Sequence, residues 1–385
     1  MHLIACTWLL IVANLARVRA DDPKPPPPPA SPVRVRLEAA RAAVERAASL
    51  NSEEGEKIRA GDLPAAEKAR LEAASDARYY GALAGAMDDL LAAATGQPDD
   101  PASVEALGFV ALRGRGLRTG QVEWALVALK RDHARAPGIS AATRALFVNH
   151  DRPEATALLR AVIAANPDRV ERGRACHDLA FLQQYHLKPT DPADGRAEVE
   201  ATYERCLAEF ADVPVVGYGA GRTVGDFARG ALFDLRHLQV GMVAPDIVGR
   251  DVEGRPLRLG DHRGRPVVLI FSGEWCGPCR GTAPFLRALL TPEAQKSAPC
   301  VVLEVNTDET RDPIRRAIAA GEVAWPCWFD GGVTGPITMG WGVESFPLTF
   351  ILDAEGVIRA KNVPGDALAR TLADVLKDRP AAGRP

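Results

Sequence analysis

Two cysteines separated by two residues stand in the segment Trp275-Cys276-Gly277-Pro278-Cys279, directly after the apolar run Val267-Val268-Leu269-Ile270-Phe271. This context predicts a strand-to-helix junction, a place where paired sulfurs can cycle between dithiol and disulfide. Only a thiolate attacks a disulfide, and a free cysteine is mostly protonated near neutrality. At a helix start, unpaired N–H groups and the positive end of the helix dipole favour the Cys276 thiolate. Pro278 suits the first helical turn, where its missing N–H costs nothing. With Gly277 it forms a short spacer that keeps Cys279 within bonding reach of Cys276. Cys276 is therefore expected to attack, and Cys279, one turn in and more covered, to resolve the mixed disulfide.

Half of a zinc site is the competing use of this spacing. Tetrahedral zinc needs two further ligands, and although His262 stands fourteen residues before Cys276, no second Cys or His pair follows at ligand spacing. No metal is expected, and no cofactor beyond the Cys276–Cys279 disulfide/dithiol itself. His177, His186 and His237 read as solvated or satisfied helix histidines. Trp325, Trp328 and Trp341 read as core or rim aromatics.

Around the cysteines the sequence resembles the thioredoxin-like proteins of the TlpA/ResA type, which are exported thiol-disulfide oxidoreductases. The resemblance spans about 240–377. It starts at Gly241-Met242-Val243-Ala244-Pro245-Asp246, passes a hairpin turning at Glu253-Gly254-Arg255, and continues through Leu259-Gly260-Asp261-His262-Arg263-Gly264-Arg265 into the first central strand. Ala283-Pro284 matches the proline that bends the family's active-site helix, as a proline within a helix does. Phe346-Pro347-Leu348-Thr349-Phe350-Ile351-Leu352-Asp353 resembles the family's proline loop and following strand. The resemblance implies that Pro347 is cis and faces the cysteine pair. It also implies a substrate groove formed by Trp275, Gly277, Pro278, Phe346 and Pro347, with a backbone group open to an extended substrate strand.

Two positions depart from the family. Ordinary thioredoxins carry a buried Asp where this chain has Ile270, and several TlpA/ResA-type proteins carry a Glu where it has Thr282. Both usual proton-handling carboxylates are missing. Glu274, beside Trp275, is the nearest acid in sequence and the candidate for proton handling. Its ordinary reading is an exposed surface charge.

The Gly-Pro spacer is that of thioredoxin, whose potential is about −270 mV against about −120 mV for the oxidant DsbA. A reductant is expected. The family resemblance implies protein disulfides as substrate and a membrane-bound electron donor as partner.

With 385 residues and 47% hydrophobic content, the chain is long enough for at least two cores. A net charge of −3 and the lack of a long basic block argue against a nucleic-acid partner. Leu3 to Ala16 is a largely apolar stretch of fourteen residues, too short to span a membrane and suited to a signal-peptide core. Export to the periplasm or another extracytoplasmic space is expected, with an uncleaved anchor as the variant reading. Residues 21–32 form a proline-rich spacer whose five consecutive prolines favour an extended polyproline helix.

From 33 to 238 the chain is rich in Ala, Leu, Arg and Glu. Ala155, Leu158, Leu159, Val162 and Ile163 form one helical stripe; Val199, Tyr203, Cys206, Leu207 and Phe210 form another. Asn166-Pro167, Lys188-Pro189 and Val213-Pro214 mark helix ends. The segment reads as helix pairs loosely like TPR arrays, a candidate for binding another protein. Cys176 and Cys206 are open to a bridge or to two buried thiols. Cys300 and Cys327 read as buried thiols of the redox core.

The expected architecture is a signal segment (1–20), a proline spacer (21–32), an all-α domain (33–238), a thioredoxin-like α/β domain (239–378) and a short tail (379–385). In the α/β domain a mixed sheet of about five strands is flanked by helices. Asp312 to Ala320 forms the family's extra helix. Two other functions compete with disulfide reduction. A thiol peroxidase of the peroxiredoxin type would want Thr three residues before its reactive cysteine, where this chain has Gly273. A helical interaction protein would leave the redox domain a secondary role.

Overall fold

A computed structural model describes residues 31–117, 120–143, 146, 152–187, 193–215 and 222–377. The expected signal segment, all but the end of the proline spacer, Lys188-Pro189 and the tail from 379 lie outside the described residues. The chain forms two compact units, divided between Gly225 and Asp226.

The first unit is helical. Helix α1 (Pro32–Ala60) starts one residue before the expected domain edge, because Ser31 caps it by accepting the Arg34 N–H at 3.1 Å and Pro32 takes the first turn. It is followed by α2 (Ala65–Gly96), α3 (Ser103–Arg113), α4 (Gln121–His133), α5 (Ile139–Thr143), α6 (Pro153–Ala165), α7 (Arg169–His186) and α8 (Ala193–Phe210). The α6 stripe is wholly buried. On α8, Val199, Tyr203, Cys206 and Phe210 are buried while Leu207 is only half-buried. Asn166 closes α6 and Asp168 opens α7, accepting the Val170 N–H at 2.7 Å. Cys176 on α7 and Cys206 on α8 form a disulfide, which decides between the two uses open to them.

Helix α9 (Val224–His237), which the sequence reading puts with the helical domain, lies from Asp226 onward in the second unit. The attachment is physical: Lys361 pairs with Asp234, and Gly230 meets Gly342 so closely that a Cβ on Gly230 would stand 2.7 Å from the Gly342 Cα.

After α9 come the strands β1 (Val248–Arg250) and β2 (Pro256–Arg258), an antiparallel pair turning through Gly254 at φ 83°. The main elements are then β3 (Val267–Ser272), α10 (Gly277–Leu289), α11 (Pro292–Ser297), β4 (Val301–Asn306), α12 (Arg311–Ala319), β5 (Cys327–Phe329), α13 (Pro336–Gly340), β6 (Leu348–Leu352), β7 (Ile358–Lys361) and α14 (Leu368–Lys377). The sheet order is β5-β4-β3-β6-β7. Strands β5, β4 and β3 run parallel, and β6 and β7 add antiparallel, giving the mixed five-stranded sheet of a thioredoxin-like fold. Helix α12 is the extra helix of the sequence reading.

Strand alternation sorts the core into two layers. Leu269 and Phe271 pack with Trp341 and Phe350 on one face of the sheet. Val268 and Ile270 pack on the other with Leu286 and Leu289 of α10, Ile314 of α12 and Leu372 of α14. Buried on both faces, β3 and β4 read as continuous apolar runs, and a single charge within β4 breaks the pattern.

Candidate active site

The central strand β3 ends at Ser272, and four residues carry the chain from its edge to the start of α10. Cys276 is the N-cap of that helix, with φ −96° and ψ 109°, and its Sγ accepts the Cys279 N–H at 3.3 Å. A thiolate there would receive the same hydrogen bond along with the positive end of the helix dipole. Cys276 and Cys279 are disulfide-bonded, with their Cα atoms 5.2 Å apart. Both are buried, so in the disulfide state the difference in cover expected from sequence is small. Gly277 and Pro278 are exposed beside them. Pro278 lies in the first turn, and Pro284 lies inside the helix.

The peptide bond Phe346–Pro347 is cis. It brings the Phe346 carbonyl oxygen to 3.8 Å from Cys276 Sγ, placing a backbone acceptor opposite that sulfur. Trp275 is half-exposed, and its indole N–H donates to the carbonyl and hydroxyl oxygens of Thr307, each at 3.2 Å. The Thr307 hydroxyl in turn donates to the Ser272 carbonyl at 2.7 Å, anchoring the Trp275 ring to the end of the sheet. Trp275 then meets Phe346 edge-on, with ring centroids 5.4 Å apart. Trp275, Phe346 and Pro347 thus come together around Cys276, although Phe346 is 70 residues away.

Glu274 is half-buried, not the freely exposed charge of its ordinary reading. Its N–H donates to Asp308 at 2.9 Å. Burial, followed by the nearby Asp308 and Glu322 carboxylates, raises its carboxyl above the usual range.

Residues 240–361 match the AhpC/TSA family. The chain is 34% identical over 120 residues to the thiol-disulfide oxidoreductase ResA of Geobacillus thermodenitrificans, covering 31% of this chain and 67% of that protein. It is a ResA-type thiol-disulfide oxidoreductase. Similarity extends to the thioredoxin-like protein YneN of Bacillus subtilis, at 30% identity over 122 residues, or 32% of this chain and 70% of that one. The solution structure of a thiol:disulfide interchange protein from Bacteroides sp. is 28% identical, with 38% of this chain and 95% of that chain covered and a TM-score of 0.32.

The two positions at which the resemblance implied a proton-handling carboxyl carry none. Ile270 packs in the core, and the Thr282 hydroxyl donates to the Pro278 carbonyl of its own helix at 3.2 Å. Sequence reasoning missed Glu304, in the middle of β4. It is 2% exposed and lies in register with Ile270 on one side and Cys327 on the other. Its Oε2 accepts the Trp325 indole N–H at 2.8 Å and lies 3.8 Å from the Cys327 sulfur. Burial, with nearby Glu274 and Asp308 adding to it, raises the carboxyl from 4.5 to about 7. The available signal was a charge in the otherwise apolar run Val301-Val302-Leu303-Glu304-Val305. Cys300 and Cys327 are free buried thiols, and burial pushes both thiols up.

Proposed function

We propose that this protein is an exported reductant of protein disulfides that works through its sulfur pair without a further cofactor. The observation that carries this reading is the placement of Cys276 Sγ at the helix N-terminus, held by the Cys279 N–H and faced by the Phe346 carbonyl. In the dithiol state, the Cys276 thiolate attacks a substrate disulfide and displaces one substrate sulfur as a thiolate, leaving a mixed disulfide. Cys279 then attacks Cys276, closing their disulfide and releasing the second substrate thiol. Two electrons pass to the substrate, and a membrane-bound dithiol donor restores the pair. Trp275, Phe346 and Pro347 shape the groove beside Cys276.

An oxidising compartment is supported by the Cys176–Cys206 bridge, since structural disulfides persist outside the reducing cytosol. The Gly-Pro spacer favours a reducing pair.

The test is reduction of insulin by the wild type and by Cys276→Ser, with the potential of the pair measured against glutathione. Thiol-dependent reduction that is lost in the variant, and a potential near thioredoxin's about −270 mV, are expected. A potential near the about −120 mV of DsbA contradicts the reductant reading. Consumption of peroxide in place of insulin reduction would mark a thiol peroxidase.

A further inference from the structure

A glycine inside a helix is less favourable than an alanine, and Gly230 stands in the middle of α9. What it provides there is close approach. A Cβ on Gly230 would lie 2.7 Å from the Gly342 Cα, nearer than real Cβ atoms come to backbone. Gly342 is constrained in turn, at φ 63°, a left-handed conformation that side chains rarely adopt. Helical spacing puts Phe233 and Asp234 on the same face of α9 as Gly230. Phe233 packs against the core layer that holds Trp341, Val343 and Leu348, and Asp234 pairs with Lys361. Phe346 packs against that same layer.

The segment that receives α9 is the one that faces the reactive sulfur. Gly342 lies four residues before Phe346, whose carbonyl oxygen is 3.8 Å from Cys276 Sγ. Little slack separates the two. Trp341 is wedged between Phe271 and Phe350, each with its ring centroid 5.5 Å away. The buried Val343 donates its N–H to the Thr338 carbonyl at 3.0 Å. Beyond them Phe346 meets Trp275, whose indole is tied to Thr307. Close-packed interiors pass a displacement on and do not absorb it. The residues that match the AhpC/TSA family begin at 240, so this support comes from a helix outside the match.

We propose that α9 is a positioning element of the redox site. Gly230 is the positioning residue: by its approach to Gly342 it sets where residues 341–347 lie, and so where the Phe346 carbonyl and ring stand beside Cys276. The inference rests on reading Cys276 as the attacking sulfur and Phe346 as one wall of the substrate groove. Gly230 acts through Gly342 and not on the reacting atoms. Its effect therefore falls on protein substrates, which need the groove, and spares a small disulfide, which needs only the sulfur. Coupling between two sites is reciprocal, so a substrate held in the groove must in turn steady α9.

The test uses the full chain with Cys279→Ser and an extended peptide whose cysteine is activated as an aromatic mixed disulfide. The Cys276 thiolate displaces the aromatic thiolate, which leaves with the electron pair, and the peptide stays linked to Cys276. Hydrogen exchange is then compared with and without the adduct. Protection of the amides of 227–238 should rise by roughly fivefold or more, while α12, on the opposite face of the sheet, keeps its rates. Unchanged α9 protection in the complete adduct overturns the proposal, as does a rise shared equally by α12. This arm leaves α9 native, so it stands even if a Gly230 variant fails to fold. In a folded Gly230→Ala protein, kcat/KM for insulin should fall by roughly tenfold, with the loss in KM, while a small aromatic disulfide reacts at the wild-type rate. Unchanged insulin kinetics, or equal losses on both substrates, also overturns it. Failure of the Cys279→Ser protein to form any adduct is a separate result, which overturns the reading of Cys276 and the proposal with it.

Discussion

Cys279 donates its backbone N–H to Cys276 Sγ across 3.3 Å, so the residue assigned to resolve the mixed disulfide also supports charge on the sulfur assigned to open the substrate. The hydrogen bond belongs to the backbone and survives replacement of the Cys279 side chain. Cys279→Ser should therefore still attack and should accumulate a substrate-linked adduct on Cys276, whereas Cys276→Ser should form none. Intact-mass spectrometry after mixing with a disulfide substrate checks this, and an adduct carried by Cys279 would reverse the roles.

Trp275 touches Phe346 edge-on and is tied to Thr307, which makes it a fixed, half-exposed wall beside the sulfur. Trp275→Ala should lower kcat/KM for a protein disulfide by about tenfold, equivalent to roughly 1.4 kcal/mol of lost binding. A small aromatic disulfide reagent, which needs little of the groove, should react at close to the wild-type rate. Equal losses on both substrates would assign Trp275 to the chemistry of the sulfur.

Glu304 makes stability depend on pH in a stated direction. Its carboxyl is raised in the fold from 4.5 to about 7, so between these values the native state holds a proton that the unfolded chain has released. Stability is then fully present below about pH 4.5 and is lost as pH rises through about 7, with a total effect of ~3 kcal/mol. Burial raises the Glu274 carboxyl too, adding a contribution of the same sign. Calorimetry near pH 5 and near pH 8 should show a falling melting temperature in the wild type and a smaller fall in Glu304→Gln.

The Cys176–Cys206 bridge closes a loop across a separation of 30 residues, which by loop-closure entropy stabilises the helical unit by about 3–4 kcal/mol. Cys206→Ala should move its denaturant midpoint down accordingly. Hydrogen exchange confined to α7 and α8 offers a direct reading, and unchanged protection there would show that the bridge adds little.

The helical stripes were readable because the 3.6-residue period puts one set of side chains on one face, as with Ala155, Leu158 and Val162. Leu207 satisfies the same pattern and is only half-buried, because the neighbouring helices determine how wide the covered stripe is. The unit boundary was less legible. Nothing local in Val224–His237 distinguishes it from the helices before it, and its place follows from contacts made 112 residues away, between Gly230 and Gly342.

The sequence by itself carried the reading of the chemistry. Two cysteines around Gly-Pro, after an apolar strand and before a helix, were legible as a proposed redox pair because spacing, helix start and thiolate stabilisation are all local properties. Tertiary structure alone decided what surrounds that pair. Phe346 comes to face Cys276, Cys176 finds Cys206, and Glu304 comes to lie beside Ile270 from 34 positions away. These relations depend on strand register and on which helices pack together, long-range pairings that local propensity does not encode.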